Sequence, residues 1–252
     1  MHDPATVRQA LDFLADGYNQ CEVGRMLSIN RRTVGDWANG RLPDFDLRSS
    51  GECNRACGEL FDGPAESYVY LLGLYLGDGC LTEMPRSVYK LRITCDSKYV
   101  TLLDRCENAM RLVMPKNKVS RAIRQGCTDV YSHSKHWPCL FPQHGLGKKH
   151  DREIKLEPWQ QALVDIDPRP LVEGLLHSDG CRVTNFTVNK KTGKRYEYPR
   201  YHFSNKSADI KKILTDALDA LGIEWRENNR MNISIARADA IARLDTFVMP
   251  KR

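Results

Sequence analysis

Two aspartates, Asp78 and Asp179, end two near-copies of one stretch. The first copy runs Leu71-Leu72-Gly73-Leu74-Tyr75-Leu76-Gly77-Asp78-Gly79. The second runs Leu171-Val172-Glu173-Gly174-Leu175-Leu176-His177-Ser178-Asp179-Gly180. Each apolar run carries small residues four apart, Gly73 and Gly77 in one, Gly174 and Ser178 in the other, which on a helix is one face. Glycine inside a helix costs about 1 kcal/mol, so a close backbone approach is the expected return. Helices packed by those faces would bring Asp78 and Asp179 together at one end. Two carboxylates a few ångströms apart repel by about 4 kcal/mol at moderate effective dielectric. Such a pair shares a proton or binds cations. Mg²⁺, which favours carboxylate, water and phosphate oxygens, suits it, and paired metals can clamp the attacking and leaving oxygens of a phosphodiester. The glycine after each acid is expected to end its helix in the left-handed conformation.

The elements that must position these acids also repeat. After the first motif comes Leu91–Val100, after the second Tyr201–Ile210. Each reads as a short alternating strand, a polar turn, and an amphipathic helix, over 98–112 and 208–221, the latter closed by Gly222. Further strands are expected at 119–123, 130–134 and 232–235, and helices at 158–165 and from about 239. A brief loop through Pro85-Arg86 precedes the first strand, and Pro168–Pro170 bridges to the second motif. A β-hairpin over 183–203 has the basic tip Asn189-Lys190-Lys191-Thr192-Gly193-Lys194. The repeat predicts a pseudo-two-fold domain whose axis runs between the motif helices, and a monomer.

Both motifs resemble the LAGLIDADG motif of homing endonucleases, and the resemblance covers about 185 residues. It implies an α+β fold of two pseudo-symmetric αββαββα repeats, at 67–165 and 166–252, whose strands form a saddle over duplex DNA. It further implies metal-dependent phosphodiester hydrolysis by Asp78 and Asp179, with Mg²⁺ also bounded by the neighbouring Gly77 and Ser178. Family members use one basic residue per half near the scissile phosphate. The candidates are Lys148 or Lys149 in the first half and Lys251 in the second. Where the family carries its first Asp, this chain has Leu76 and His177. Some relatives keep the packed helices and have become non-cleaving DNA-binding transcriptional regulators. Those tend to lose the acids, which this chain keeps. Intein end features are missing, so a freestanding chain is expected.

The formal net charge is +6. Residues 1–60 hold seven arginines and no lysine against nine acidic residues, so the basic excess lies in the repeats. That fits a double-stranded DNA partner. Arg92, Arg121, Arg124, Lys190, Lys191, Lys194, Arg195, Arg200 and His202 are the candidate contacts. Strand alternation allows only every second of those on strands to face the duplex. No apolar run is long enough for a bilayer and no signal pattern opens the chain, so a cytoplasmic protein with reduced thiols is expected.

Residues 1–42 read as three short helices, Thr6–Ala15, Gln20–Leu27 and Arg31–Asn39, with Gly17 and Gly40 closing the first and third. The run Glu22–Trp37 is similar to helix-turn-helix DNA-binding units. Gly24 permits close crossing, Ile29 plugs the turn, and Val34 and Trp37 anchor the third helix. Asn30 or Arg32 is the N-cap candidate. Arg31, Arg32, Thr33 and Asp36 then face the major groove. Residues 43–66 are expected to be a linker. Its Cys53 and Cys57 are half of a zinc site at best, since four ligands are needed; Cys127, His133, His136 and Cys139 are the other conceivable donors.

Overall fold

In the computed structural model, residues 4–42, 61 and 63–251 are described. The chain divides into two units, Met1–Asn54 and Arg55–Arg252. Most of the expected linker, with Cys53 and Cys57, lies outside the described residues.

The first unit has three helices, α1 (Pro4–Ala15), α2 (Gln20–Met26) and α3 (Arg31–Ala38). Asn19 accepts from the N–H of Glu22 while Glu22 accepts from that of Asn19, a capping box that satisfies orphan donors of α2. Asn30 caps α3, accepting from the Arg32 N–H at 2.9 Å. Val7, Ala10, Val23, Ile29, Val34 and Trp37 form the core. A side chain at Gly24 would put its Cβ 2.8 Å from the Ile29 carbonyl oxygen, so only glycine lets the turn fold back on α2.

The second unit repeats one order of elements. Its first half is α4 (Ala65–Asp78), β1 (Gly79–Met84), β2 (Val88–Asp96), α5 (Val100–Val113), β3 (Val119–Ile123), β4 (Cys127–Ser134) and α6 (Trp137–Leu140). After α7 (Pro158–Ile166) comes the second half: α8 (Arg169–Ser178), β5 (Gly180–Val188), β6 (Arg195–Ser204), α9 (Ala208–Ala220), β7 (Arg226–Asn229), β8 (Asn232–Ile235) and α10 (Ala238–Leu244). Both halves are therefore αββαββα. Both sheets are four-stranded and antiparallel, ordered β1-β2-β4-β3 and β5-β6-β8-β7. The two motif helices share one apolar core, with Leu71, Leu72, Leu171, Val172, Leu91, Ile93 and Phe203 almost fully buried.

Three sequence expectations change, and one strand, β7, has no counterpart among them. Residues 79–84 form β1 rather than a loop, and a 3-10 turn over Pro85–Ser87, with Arg86 at φ 67° and Ser87 at φ 54°, reverses the chain into β2. Strand β7, Arg-Glu-Asn-Asn, has no apolar alternation because it is an exposed edge strand that, among the described residues, pairs only with β8. The Pro168–Pro170 stretch is no bridge but the start of α8, where proline forfeits no intrahelical bond. Gly79 is not left-handed: at φ −86°, ψ 152° it already begins β1. Its requirement is steric, since a Cβ there would lie 2.5 Å from the Tyr75 Cα. At Gly180 one would lie 2.6 Å from the Leu176 Cα.

Candidate active site

The small faces of α4 and α8 meet backbone to backbone. A Cβ on Gly73 would fall 2.6 Å from the Leu171 carbonyl oxygen and 2.9 Å from the Gly174 Cα. One on Gly174 would collide with the Tyr70 carbonyl, and one on Gly77 with the Ser178 side chain, 3.1 Å from Asp179 Oδ2. The packing thus carries both helices to a common end, where Asp78 closes α4 and Asp179 caps α8.

The electrostatics follow from that convergence. Lost hydration, reinforced by the charge of Asp179, pushes Asp78 up to about 6, although the residue keeps an exposed edge. Lys251 and Lys149 oppose the shift. Asp179 is also raised by burial, countered first by Asn205, whose Nδ2 donates to Asp179 Oδ2 at 2.6 Å.

Each motif helix ends against a lysine. Lys149 Nζ donates to the carbonyls of Tyr75, Gly77 (3.2 Å) and Gly79 (2.6 Å). Lys251 Nζ donates to those of Ser178 (3.2 Å) and Gly180 (2.5 Å). The two are equivalent, because Gly77-Asp78-Gly79 and Ser178-Asp179-Gly180 are equivalent. An ammonium there also complements the negative end of the helix dipole. Desolvation lowers Lys149 to about 8, against the pull of Asp179 and Asp78, and Lys251 is likewise lowered by burial. Of the first-half alternatives, Lys149 takes this position. Lys148 is exposed and lines a cleft of about 370 Å³ with Lys149, His150, Arg152, Asp179 and Asn205.

Hard oxygen donors, two carboxylates beside the Gly77 and Ser178 carbonyls, fit a divalent cation such as Mg²⁺. Among the described residues no three His, Cys, Asp or Glu side chains converge, which includes Cys127, His133, His136 and Cys139. The described cysteines are free thiols.

Strand register sorts the candidate DNA contacts. On β2, Leu91, Ile93 and Cys95 turn into the core, so Arg92 faces away from the helices, opposite Tyr131. Buried Asp129, beside it on that open face, pairs with Arg124 at 2.6 Å and reaches Arg92 at 4.0 Å. On β6, Tyr201 and Phe203 are buried, which puts Arg200 and His202 on the open face. Arg121 does not join them. It shares the core-side register of Val119 and is bound by Asp104 (2.6 Å) and Glu107 (2.7 Å) of α5. Arg195 likewise has the opposite register to Arg200, lying over the Phe186 ring and pairing with Glu197. Lys190, Lys191 and Lys194 are exposed at the β5–β6 tip, where Asn189 accepts from the Lys191 N–H. In the first unit, Arg31 and Arg32 are exposed at the start of α3, while Thr33 and Asp36 are half-buried.

Two residues escape a reading of the sequence. Asn205 lies in a stretch that reads only as a turn; an amide where the other repeat has Cys95 is the available signal. Asp129 gives none, being one acid inside a polar strand.

No family model matches the chain, and no curated protein does. Similar solved structures include the LAGLIDADG meganuclease I-AabMI bound to uncleaved DNA, at 10% identity and TM-score 0.47, covering 71% of this chain and 82% of that one. The homing endonuclease I-DmoI in complex with DNA and Ca is another, at 18% identity and TM-score 0.47 over 73% and 89%. A third is I-SmaMI bound to uncleaved DNA target in the presence of calcium ions, at 10% and 0.45 over 69% and 81%. At these identities and scores the likenesses decide nothing about activity. No helix among the described residues is long and apolar enough to cross a membrane.

Proposed function

We propose that this chain is a site-specific endonuclease of the LAGLIDADG homing type that hydrolyses both strands of duplex DNA with a divalent cation. One observation carries the reading: two helices packed through glycine deliver two acids to one point, each with its own desolvated lysine. Asp78 and Asp179 would hold the cation, with the Gly77 and Ser178 carbonyls beside them. At such a site a divalent cation supplies charge neutralisation at the phosphodiester and a more acidic water. Lys149 and Lys251 hold a positive charge over each helix end, where a phosphate's negative charge builds up. Asn205 fixes the Asp179 carboxylate through Oδ2. The antiparallel strands of a duplex match the pseudo-two-fold pairing of half-sites. Arg92, Arg124, Arg200, His202 and the tip lysines face the backbone, and electrostatic contact there is sequence-independent. In this reading residues 1–42 are a second, helix-turn-helix DNA-binding unit, tethered by 43–66, in a monomer.

A non-cleaving transcriptional regulator is the competing reading, and the exposed Arg31 and Arg32 on α3 favour it. Incubating the protein with a duplex library, with and without Mg²⁺, separates the two. The nuclease reading expects cuts in both strands at one sequence, only with the cation. Selective binding without cuts in Mg²⁺, Mn²⁺ or Ca²⁺ overturns it.

A further inference from the structure

The second motif helix carries two polar residues that the first does not. Glu173 stands where α4 has Leu72, and His177 where it has Leu76. Both are buried, in a helix otherwise apolar at this depth. Buried polar groups persist where each finds partners, and these find theirs on one residue of the C-terminal tail. The Met249 N–H donates to Glu173 Oε1 at 3.0 Å, and the Met249 carbonyl lies 2.7 Å from His177 Nε2. A carbonyl only accepts, so Nε2 carries the hydrogen. Nδ1 then accepts from the Tyr70 hydroxyl at 2.9 Å. Arg105 closes the array with a bidentate pair to Glu173. Tyr70 lies on α4 and Arg105 on α5, so the first half orients the clamp of the second.

Met249 is two residues from Lys251. A segment gripped at both its amide and its carbonyl has little freedom left. The lysine beyond it then reaches the Ser178 and Gly180 carbonyls without searching. Lys149 is delivered differently: Arg152 donates to the carbonyls of Gln143 and Gly147, each at 3.0 Å, and braces the loop before it.

We propose that Glu173 and His177 are positioning residues for Lys251, oriented across the pseudo-dyad by Tyr70 and Arg105. For its effect on cutting, the proposal rests on the nuclease reading above; for the position of Lys251 it does not. His177→Leu copies the first half and keeps the helix apolar. His177→Gln keeps a donor at the Nε2 position, and Glu173→Gln keeps shape while losing the charge. The first test is amine acylation of the full-length protein, followed by mass spectrometry at each lysine. Lys251 should label at least about tenfold faster in His177→Leu while Lys149 stays at its wild-type rate, and His177→Gln should restore most of the protection. Equal protection of Lys251 in wild type, His177→Leu and Glu173→Gln overturns the proposal. So does faster labelling of both lysines together, which reports general loosening. If His177→Leu does not fold, Glu173→Gln decides by the same measurement.

The second test is strand-resolved cleavage. His177→Leu should slow one strand at least about tenfold and spare the other, the same strand that Lys251→Met slows, so nicked duplex accumulates. Equal slowing of both strands overturns the positioning role. A wild-type protein that cuts no duplex overturns the nuclease reading alone, and the labelling experiment still decides the clamp.

Discussion

The two halves of the second unit share their chemistry and differ in its supports. Asp78 and Asp179, with Lys149 and Lys251, occupy matching places to the residue. Around them the matching stops. Asp179 is held by Asn205, but the position equivalent to Asn205 is Cys95, a buried core residue, so among the described residues Asp78 receives no such bond. Lys251 hangs from a buried polar clamp, whereas Lys149 is carried by an arginine-braced loop. Both halves place an acid and a lysine at the helix end, and each holds them by different means. In the proposed activity, that contrast separates what the reaction would require from what each half happens to provide.

The widest test removes what is common. Asp78→Asn with Asp179→Asn keeps size and relieves the like-charge pair, so folding should survive. Cleavage should fall by at least about a thousandfold, since no charge remains to hold a cation. Metal-free DNA binding should persist, because basic side chains elsewhere carry it. Full cleavage by the double variant, in a gel assay of a defined duplex, would sink the mechanism.

Taking the lysines singly sharpens the comparison. Lys149→Met and Lys251→Met should each cost about a hundredfold on a single strand, and on opposite strands, as measured by end-labelled strand cleavage. Identical strand preference in both variants would show that the halves do not divide the labour.

Packing is the next largest effect. Gly174→Ala drives a methyl into the Tyr70 carbonyl of a neighbouring backbone that cannot yield, and should cost about 3 kcal/mol in chemical denaturation. Gly126→Ala, an open loop position with no nearby atoms but φ +77°, should cost about 1 kcal/mol through backbone strain alone. Equal costs at the two sites would contradict backbone contact between α4 and α8.

A smaller signature lies in pH. Asp78 titrates near 3.8 unfolded and about 6 folded, so the folded state binds the extra proton between those values. Stability of the metal-free protein should therefore fall as pH rises through that window and level off above it. Asp78→Asn should lack that component, seen as a stability gap from wild type that opens above pH 4 in urea melts with a chelator. A constant gap from pH 3.5 to 7.5 would mean that the acid is not perturbed. The smallest effect is expected at the β5–β6 tip. Replacing Lys190, Lys191 and Lys194 by Ala should lower the salt slope of DNA binding by about 0.9 for each phosphate that a tip lysine neutralises. An unchanged slope excludes the tip from the interface.

How far the sequence discloses this arrangement depends on how local each cause is. The motif helices, both acids and the small faces are legible because their signal is a spacing within one helix turn. The helices of the first unit are legible through caps such as Asn30 and through a buried Trp37. Strand β7 is not, because an edge strand needs no apolar alternation. Asn205 escapes too, since its role comes from a carboxylate 26 residues away in sequence. Arg121 misleads for the same reason: only the register of β3, fixed by pairing to β4, shows that it turns to α5. Choosing between Lys148 and Lys149 likewise needs the fold, since adjacent residues share every sequence argument.

Because α4 and α8 touch through glycine, the separation of the two acids is set by main-chain atoms, not by side chains that could be resized. In the proposed activity the molecule is then a fixed-gauge tool. The stagger between its two cuts would be inherited unchanged by any variant whose open sheet faces had been rebuilt for a new target. Recognition could drift over generations while the ends left on the DNA kept one length.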